Sequence, residues 1–290
     1  CTTEFKSGQI WLLLDYCPHG DMKNFLLKNQ DIISQGLHYH RVPHETLNIR
    51  LFLKLSHSIC KGMEYLASKN IMHGDLAARN ILITNSNDEE RYLAKICDFG
   101  LSKAFYEKTS YQKQDRNNLP WKWMDVHFYE TGLFRMSSDV WSFGVVFWEI
   151  LSMGQNPYDG GAADATIKKI KAGFRLPIPD EVKEANWLAK CYDEVTELCW
   201  QLDPKKRRNF TDLVKIFETH LSTDEKENYR RMEQNIIKNV AKPEEAISFN
   251  NLKDNASAMS MNDIEVVYNN PTDKDIVDLK YVDPVVETTL

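Results

Sequence analysis

The sequence lacks several features that mark particular classes of protein. No apolar run approaches the roughly 20 residues that a helix needs to cross a bilayer, and we expect no signal peptide within these residues. The body of the chain has no excess of basic residues, which argues against a nucleic-acid partner. The chain also begins at Cys1 rather than at a methionine, so we expect it to be the downstream piece of a longer polypeptide.

The cysteines form no pattern typical of a metal site or of a disulfide scaffold. They are neither closely paired nor dense, so a reduced, intracellular compartment fits best. The six positions are Cys1, Cys17, Cys60, Cys97, Cys191 and Cys199.

Charge is concentrated near the end of the chain. Residues 241–290 hold ten acidic and four basic side chains, which accounts for the whole net charge of −6. The same segment is poor in aromatic residues and rich in Asn, Asp and Ser. Such a segment buries too little apolar area to offset its ordering entropy, so we predict that it is disordered.

Apolar patterning predicts one early strand and a mainly helical body. The run GQIWLLLDYC at 8–17 indicates a buried strand, and strands are otherwise expected only near 71–97. Apolar residues recur at helical spacing over 47–69, and a second apolar helix is predicted over 139–154. Further helices are predicted at 162–172, 187–201 and 210–221.

The stretch IMHGDLAARNILI, residues 71–83, places an acid, an arginine and an amide between two apolar runs. Asp75 precedes Asn80 in this stretch, and a second acid, Asp98, follows in KICDFG. Phosphoryl transfer from ATP needs a base for the incoming hydroxyl and oxygen ligands for Mg²⁺. We predict Asp75 as the base and Asn80 and Asp98 as the metal ligands. Asp75 or Asn80 alone could be an ordinary turn residue, but the combined spacing favours catalysis.

The pair H-x-D-L-x-x-x-N and D-F-G resembles the catalytic core of protein kinases. The form DLAARN is similar to tyrosine kinases, in which the loop arginine, here Arg79, lies beside the phenol of the substrate. LPWKWM at 119–124 and SDVWSFGVVFWEI at 138–150 are similar to the same group. The resemblance covers about residues 5–221. It implies an α+β, protein-kinase-like fold, ATP and Mg²⁺ as cofactors, and protein tyrosines as substrates.

The segment from KICDFG to LPWKWM resembles the platelet-derived and vascular endothelial growth factor receptor class. That class carries tyrosines in its activation loop where Tyr106 and Tyr111 stand here. It also carries a long insert between two helices, whereas only the stretch 30–47 separates the corresponding helices of this chain.

LLLDYCPHGDM resembles the kinase hinge, which connects the two lobes and binds adenine. The resemblance implies that Asp15 and Cys17 offer backbone groups to adenine, that Leu14 is the gatekeeper, and that Leu82 forms the floor of the pocket. Leu14 and Leu82 are equally compatible with ordinary core leucines, because a pocket wall is partly core.

Two parts of the family pattern are missing. No Gly-rich loop and no V-A-I-K-like strand occurs, so we expect these 290 residues alone to transfer phosphate poorly or not at all. The A-P-E motif is replaced by Asp125, Val126 and His127. In the family its glutamate pairs with an arginine, here Arg207. Either Arg207 finds another acid or this region is looser.

Gly74 stands where most kinases have an arginine that receives the phosphate of the activation loop. Because glycine cannot make this pair, phosphorylation at Tyr106 or Tyr111 should order the loop less strongly. The preceding His73 is predicted to be a buried structural histidine bonded to the backbone near Asp98.

Asp139 can act as an N-terminal acid of its helix, and the resemblance implies that it also bonds to the backbone of the catalytic loop. Both roles are compatible. The tryptophans of the helical body are assigned to core packing, namely Trp141, Trp148 and Trp200.

The tail contains short motifs for protein partners. Tyr268 in VVYNNP and Tyr281 in KYVDP resemble phosphotyrosine contexts read by Src-homology-2 modules. Tyr229 in YRRM has a similar context, but it also fits the end of the last helix. The terminal ETTL fits a peptide that adds a strand to a PDZ domain, with Thr288 and Leu290 as the specificity contacts.

The sequence therefore predicts a small-lobe remnant at 1–16, a kinase large lobe at 17–223 and a largely disordered tail at 224–290. The predicted protein is a receptor tyrosine kinase, active on the cytoplasmic side of the plasma membrane. It would span the membrane once and dimerise through parts outside this chain. The alternative is a catalytically impaired pseudokinase or a phosphotyrosine docking scaffold.

Overall fold

The structure is a computed structural model and describes residues 5–6, 9–31, 49–85, 92–98, 120–183, 186–221 and 264–269. The chain divides into two units. The smaller unit contains Cys1–Tyr16 and Arg231–Leu290, and the larger unit contains Cys17–Arg230.

Within the described residues, the strands are β1 (Phe5–Lys6), β2 (Gln9–Asp15), β3 (Ile81–Asn85), β4 (Tyr92–Ile96) and β5 (Ile264–Asn269). The helices are α1 (Met22–Lys28), α2 (Ile49–Ser68), α3 (Val126–Thr131), α4 (Met136–Leu151), α5 (Ala163–Lys171), α6 (Asn186–Cys199) and α7 (Phe210–His220). Short 3₁₀ helices occur at Ala78–Asn80, Trp121–Trp123, Asp180–Val182 and Pro204–Lys206.

The smaller unit contains a three-stranded sheet in the order β1-β2-β5. β1 pairs antiparallel with β2, which is the early strand that the apolar run predicts. β5 pairs in parallel with β2, so that Tyr268 lies opposite Leu14. This strand falls inside the segment 224–290, for which we predict disorder. The remainder of that segment lies outside the described residues, so the extent of the tail stays a prediction.

The larger unit is built around α4, the apolar helix predicted over 139–154. Nearly every side chain of α4 is buried, as expected for a helix that is apolar on all its faces. The Phe143 ring packs edge-on against Phe217 of α7, with 6.0 Å between the ring centroids. Each such side chain contributes on the order of 1.5–3 kcal/mol on burial, so α4 anchors the core.

Helix α2 runs into the loop that carries the predicted catalytic residues. Its apolar stripe, which includes Phe52 and Ile59, is fully buried. The helix ends where Asn70 adopts a positive φ of 57°. The Ile71 N–H then donates to the Leu66 carbonyl, a bonding pattern typical of a left-handed helix cap. The chain therefore leaves α2 in a defined direction.

Strands β3 and β4 form an antiparallel hairpin in which Ile81 lies opposite Ile96. Asn80 directly precedes β3, and Asp98 follows shortly after β4. The hairpin therefore brings the two predicted metal ligands to the same end of the sheet.

The helices predicted for the body are confirmed, with bounds that differ from the predicted ones by at most three residues. Trp141 and Trp200 lie in the core as predicted. Trp148 is partly buried against that core, and its indole N–H donates to the Pro177 carbonyl. Among the described residues no cysteine forms a disulfide, and no helix there is long and apolar enough to cross a membrane.

Candidate active site

Asp139, in the first turn of α4, holds the backbone of the loop that precedes Asp75. Its two carboxylate oxygens accept from the backbone N–H groups of His73 and Gly74, each at 2.9 Å. Burial raises the pKa of the Asp139 carboxyl to about 7, against these two hydrogen bonds, which favour the charged form. The predicted bonding of Asp139 to the catalytic loop is therefore confirmed, and Gly74 is held with a φ of +85°.

His73 links the loop to the end of β4. The side chain is fully buried, and Nε2 lies 3.0 Å from the carbonyl oxygen of Cys97. Nδ1 accepts from the Asp75 N–H at 3.2 Å, so Nε2 carries the proton in the neutral ring. Burial lowers the pKa of His73, which favours this neutral form. The prediction of a buried structural histidine beside Asp98 is confirmed.

The structure brings Asp75, Arg79 and Asn80 into direct contact. Arg79 Nη2 donates to Asp75 Oδ1 at 2.6 Å, and Asn80 Nδ2 donates to Asp75 Oδ2 at 2.8 Å. The short 3₁₀ helix at Ala78–Asn80 makes these contacts possible, because it turns both side chains back toward Asp75. One carboxylate therefore receives a donor on each oxygen.

Burial raises the pKa of the Asp75 carboxyl, and Arg79 and Asn80 oppose that shift. The negative charge of Asp98 raises the pKa further. A carboxylate with a raised pKa accepts protons more readily, which suits a general base. The catalytic roles assigned to Asp75, Arg79 and Asn80 remain predictions.

Asn80 and Asp98 present the oxygen donors that Mg²⁺ prefers. Asn80 Nδ2 donates to both the carbonyl and the carboxylate of Asp75, so the amide nitrogen is engaged there and the amide oxygen points elsewhere. The Cys97 N–H donates to the Asn80 carbonyl at 3.0 Å, which holds the two segments side by side. Asp98 is exposed and has a φ of 60°. The donor set fits a hard divalent cation.

Glu149 of α4 also belongs to the site, although no sequence motif predicts it. It is 1% exposed, and its Oε2 accepts from the Ala78 N–H at 3.0 Å and from Trp123 Nε1 at 2.8 Å. The Arg79 guanidinium lies over the Trp123 ring, 4.4 Å from its centroid. A charged residue within the apolar run VVFWEIL is the sequence signal that points to such a role.

Arg207 pairs with another acid, Asp125. Of the two alternatives that the sequence leaves open, a substitute acid or a looser region, the structure shows the first. Arg207 Nη1 donates to Asp125 Oδ2 at 2.7 Å, and both side chains are almost fully buried. Asp125 also caps α3, because its Oδ1 accepts from the Phe128 N–H at 2.6 Å. The pairing acid therefore lies two positions before His127, which occupies the place of the family's glutamate.

The residues predicted to contact adenine do not all belong to the same unit. Leu14 and Asp15 belong to the smaller unit, whereas Cys17 and Leu82 belong to the larger one. Cys17 is buried and Leu82 is partly buried. Their roles toward adenine stay predictions.

Of the four predicted phosphorylation sites, the structure describes Tyr268. Tyr106, Tyr111 and Tyr281 lie outside the described residues, as do Tyr229 and the terminal ETTL. Tyr268 lies in β5.

The sequence matches the family described as protein tyrosine and serine/threonine kinase over residues 1–217. The chain belongs to this family. The site around Asp75 thus occurs in a kinase domain, and the predicted protein-kinase-like α+β fold is confirmed.

Named relatives are growth factor receptors. The chain is 32% identical over 236 residues to a fibroblast growth factor receptor of Halocynthia roretzi. The aligned region covers 77% of this chain and 30% of that receptor. The chain is also 36% identical over 195 residues to platelet-derived growth factor receptor alpha of Homo sapiens, covering 67% of this chain and 17% of that receptor. The resemblance to receptor tyrosine kinases is confirmed, and the chain spans less than a third of the length of these relatives.

Proposed function

We propose that this chain is the large lobe and tail of a receptor tyrosine kinase that transfers the terminal phosphoryl group of ATP to protein tyrosines. The arrangement of Asp75 between Arg79 and Asn80 carries this proposal. It supplies an oriented, partly buried carboxylate beside a cation that can flank the substrate phenol. The kinase relatives support the reaction class.

In the proposed reaction, Asp75 accepts the proton of the tyrosine hydroxyl. The phenolic oxygen forms a bond to the terminal phosphorus of ATP, the bond from that phosphorus to the bridging oxygen breaks, and ADP leaves. Arg79, stacked on Trp123, bounds the position of the phenol. Asn80 and Asp98 would hold Mg²⁺, which supplies positive charge at the phosphate oxygens when bound.

The receptor relatives support a proposal on the wider setting, and the motifs of the tail support one on partners. We propose that the kinase acts on the cytoplasmic side of the plasma membrane, as part of a single-pass receptor that dimerises through parts outside this chain. Tyr268 and Tyr281 would recruit Src-homology-2 proteins once phosphorylated, and Thr288 and Leu290 would contact a PDZ domain.

The direct test is phosphorylation of a tyrosine peptide by the proposed full-length receptor. Asp75→Asn and Asp98→Asn should each lower the turnover more than about 100-fold, because each removes a charge needed for proton or metal binding. Asp180→Asn, at an exposed carboxylate remote from the loop in sequence, is the matched control and should stay within about twofold.

Asp98→Asn activity within about twofold of the unaltered protein would refute the metal assignment. A folded, unaltered receptor that phosphorylates no tyrosine would favour the docking scaffold instead.

A further inference from the structure

Glu149 joins two segments that are distant in sequence. Its Oε2 accepts from the backbone N–H of Ala78 in the catalytic loop and from the indole N–H of Trp123 in the LPWKWM segment. Both donors meet the same oxygen. The other oxygen, Oε1, is buried without a hydrogen-bond partner among the described residues.

Both connections lead to Arg79. Ala78 is its neighbour in the chain, so the bond from Glu149 fixes the backbone from which the Arg79 side chain extends. Trp123 lies beneath the Arg79 guanidinium, with 4.4 Å from its central carbon to the ring centroid. Arg79 in turn donates to Asp75. A change at Glu149 therefore reaches the catalytic carboxylate from two directions.

Packing alone does not account for a carboxylate at this position. Glu149 is 1% exposed in a helix whose other buried side chains are mostly apolar. Burying a carboxylate is unfavourable, and leaving one of its oxygens unpaired adds to that penalty. Burial also raises the pKa of Glu149 to about 7. An apolar side chain of similar size would pack there more favourably.

We propose that Glu149 is a positioning residue that holds the catalytic loop and the Trp123 segment in register, so that Arg79 and Asp75 meet the substrate tyrosine in the reactive geometry. This inference rests on the proposed tyrosine kinase function. It assigns Glu149 to the peptide side of the reaction rather than to ATP, because its contacts reach Arg79 through Ala78 and Trp123.

The kinetic test uses the proposed full-length receptor with a tyrosine peptide and with ATP varied separately. Glu149→Ala should lower kcat/KM for the peptide about 10- to 100-fold, while KM for ATP stays within about twofold. Glu149→Gln should recover most of that loss, because its amide oxygen can accept the same two N–H groups. The loss of a purely structural residue would not lower kcat/KM for the peptide while leaving KM for ATP unchanged.

Trp123→Phe removes the indole donor and keeps a ring beneath Arg79. Trp123→Phe should lower kcat/KM for the peptide in the unaltered background. In the Glu149→Ala background it should lower kcat/KM by less than about a further threefold, because the bond between Trp123 and Glu149 is already lost there. Trp148→Phe is the matched control. Trp148 directly precedes Glu149, and its indole N–H donates to the Pro177 carbonyl instead. Its replacement should leave kcat/KM for the peptide within about twofold of the unaltered value.

A second readout does not depend on activity. In the 290-residue chain, the Trp123 indole proton and the Ala78 amide proton should exchange slowly with solvent, and both should exchange faster in Glu149→Ala. If Glu149→Ala does not fold, Glu149→Leu replaces it as a variant of similar size without the acceptor oxygen, and both protons should again exchange faster. Glu149→Gln keeps an acceptor oxygen and should leave both exchange rates close to those of the unaltered chain.

The outcomes separate the two proposals. Three results for Glu149→Ala would each overturn the role of Glu149. They are a kcat/KM for the peptide within about twofold of the unaltered receptor, a KM for ATP that rises by as large a factor as kcat/KM for the peptide falls, and unchanged proton exchange. An unaltered receptor without tyrosine kinase activity would refute the proposed function. The exchange measurement would then still show whether Glu149 joins the two segments.

Discussion

Asp125 should be among the most sensitive single positions for stability in the larger unit. In Asp125→Ala, the Arg207 guanidinium stays buried without its carboxylate, and α3 loses its side-chain cap. Breaking a buried ion pair by removing one partner costs about 3–5 kcal/mol, and losing a helix cap costs about 1 kcal/mol. Because one carboxylate serves both, we expect a total loss of about 4–6 kcal/mol.

That loss is comparable to the whole stability of many domains. Urea unfolding followed by tryptophan fluorescence measures it as a shift in the midpoint at constant slope. Asp125→Asn keeps an oxygen for the cap, so it should lose less than Asp125→Ala. Asp180→Ala is the matched control. Its ion pair with Lys183 is exposed, so its loss should be within about 0.5 kcal/mol.

Two further variants test the reasoning. Arg207→Met in the Asp125→Ala background should recover part of the lost stability, because it removes the unpaired buried charge. His127→Ala, at the position of the family's glutamate, should cost less than about 1 kcal/mol. A loss below about 1.5 kcal/mol in Asp125→Ala, or a larger loss in His127→Ala, would refute the view that Asp125 has taken over the pairing.

Three other predictions concern protonation and phosphorylation. Burial raises the pKa of Asp139 to about 7, so the folded state keeps a proton that the unfolded chain releases near pH 4. The unaltered protein should therefore lose stability relative to Asp139→Asn as the pH rises from about 4 to 7 in urea titrations; a flat difference would contradict this. Tyr106→Phe and Tyr111→Phe should each lower kinase activity by less than about fivefold, because Gly74 replaces the arginine that would receive the loop phosphate. A larger loss in steady-state assays would contradict this expectation. Tail peptides phosphorylated at Tyr268 or Tyr281 should bind Src-homology-2 modules more tightly than unphosphorylated ones by calorimetry, and equal binding would leave the tail as a solvated extension.

The parts of the site that lie close together in sequence could be predicted. Asp75 and Asn80 lie within six residues, and their spacing to Asp98 in KICDFG indicates a common site. The resemblance of DLAARN to tyrosine kinases adds Arg79. The long helices could also be predicted, because α2 and α4 carry continuous apolar patterns whose period shows in a single sequence.

The contacts of Asp125 and Glu149 could not be predicted in the same way. Asp125 meets Arg207 across more than 80 positions, and Glu149 meets Ala78 and Trp123 from two different segments. Such partners are selected by the packing of whole helices rather than by local spacing. The sequence indicates only that a charge at each position needs a partner, not which residue supplies it.

The backbone at Gly74 has a mechanical consequence for the loop. Its φ of +85° lies in the left-handed region, where a side chain would add about 1–2 kcal/mol of strain. The Gly74 N–H is also anchored on Asp139, so the chain cannot relax by rotating away. With glycine that strain is absent, so the segment before Asp75 holds its left-handed turn, anchored on Asp139, at no conformational cost from a side chain at position 74.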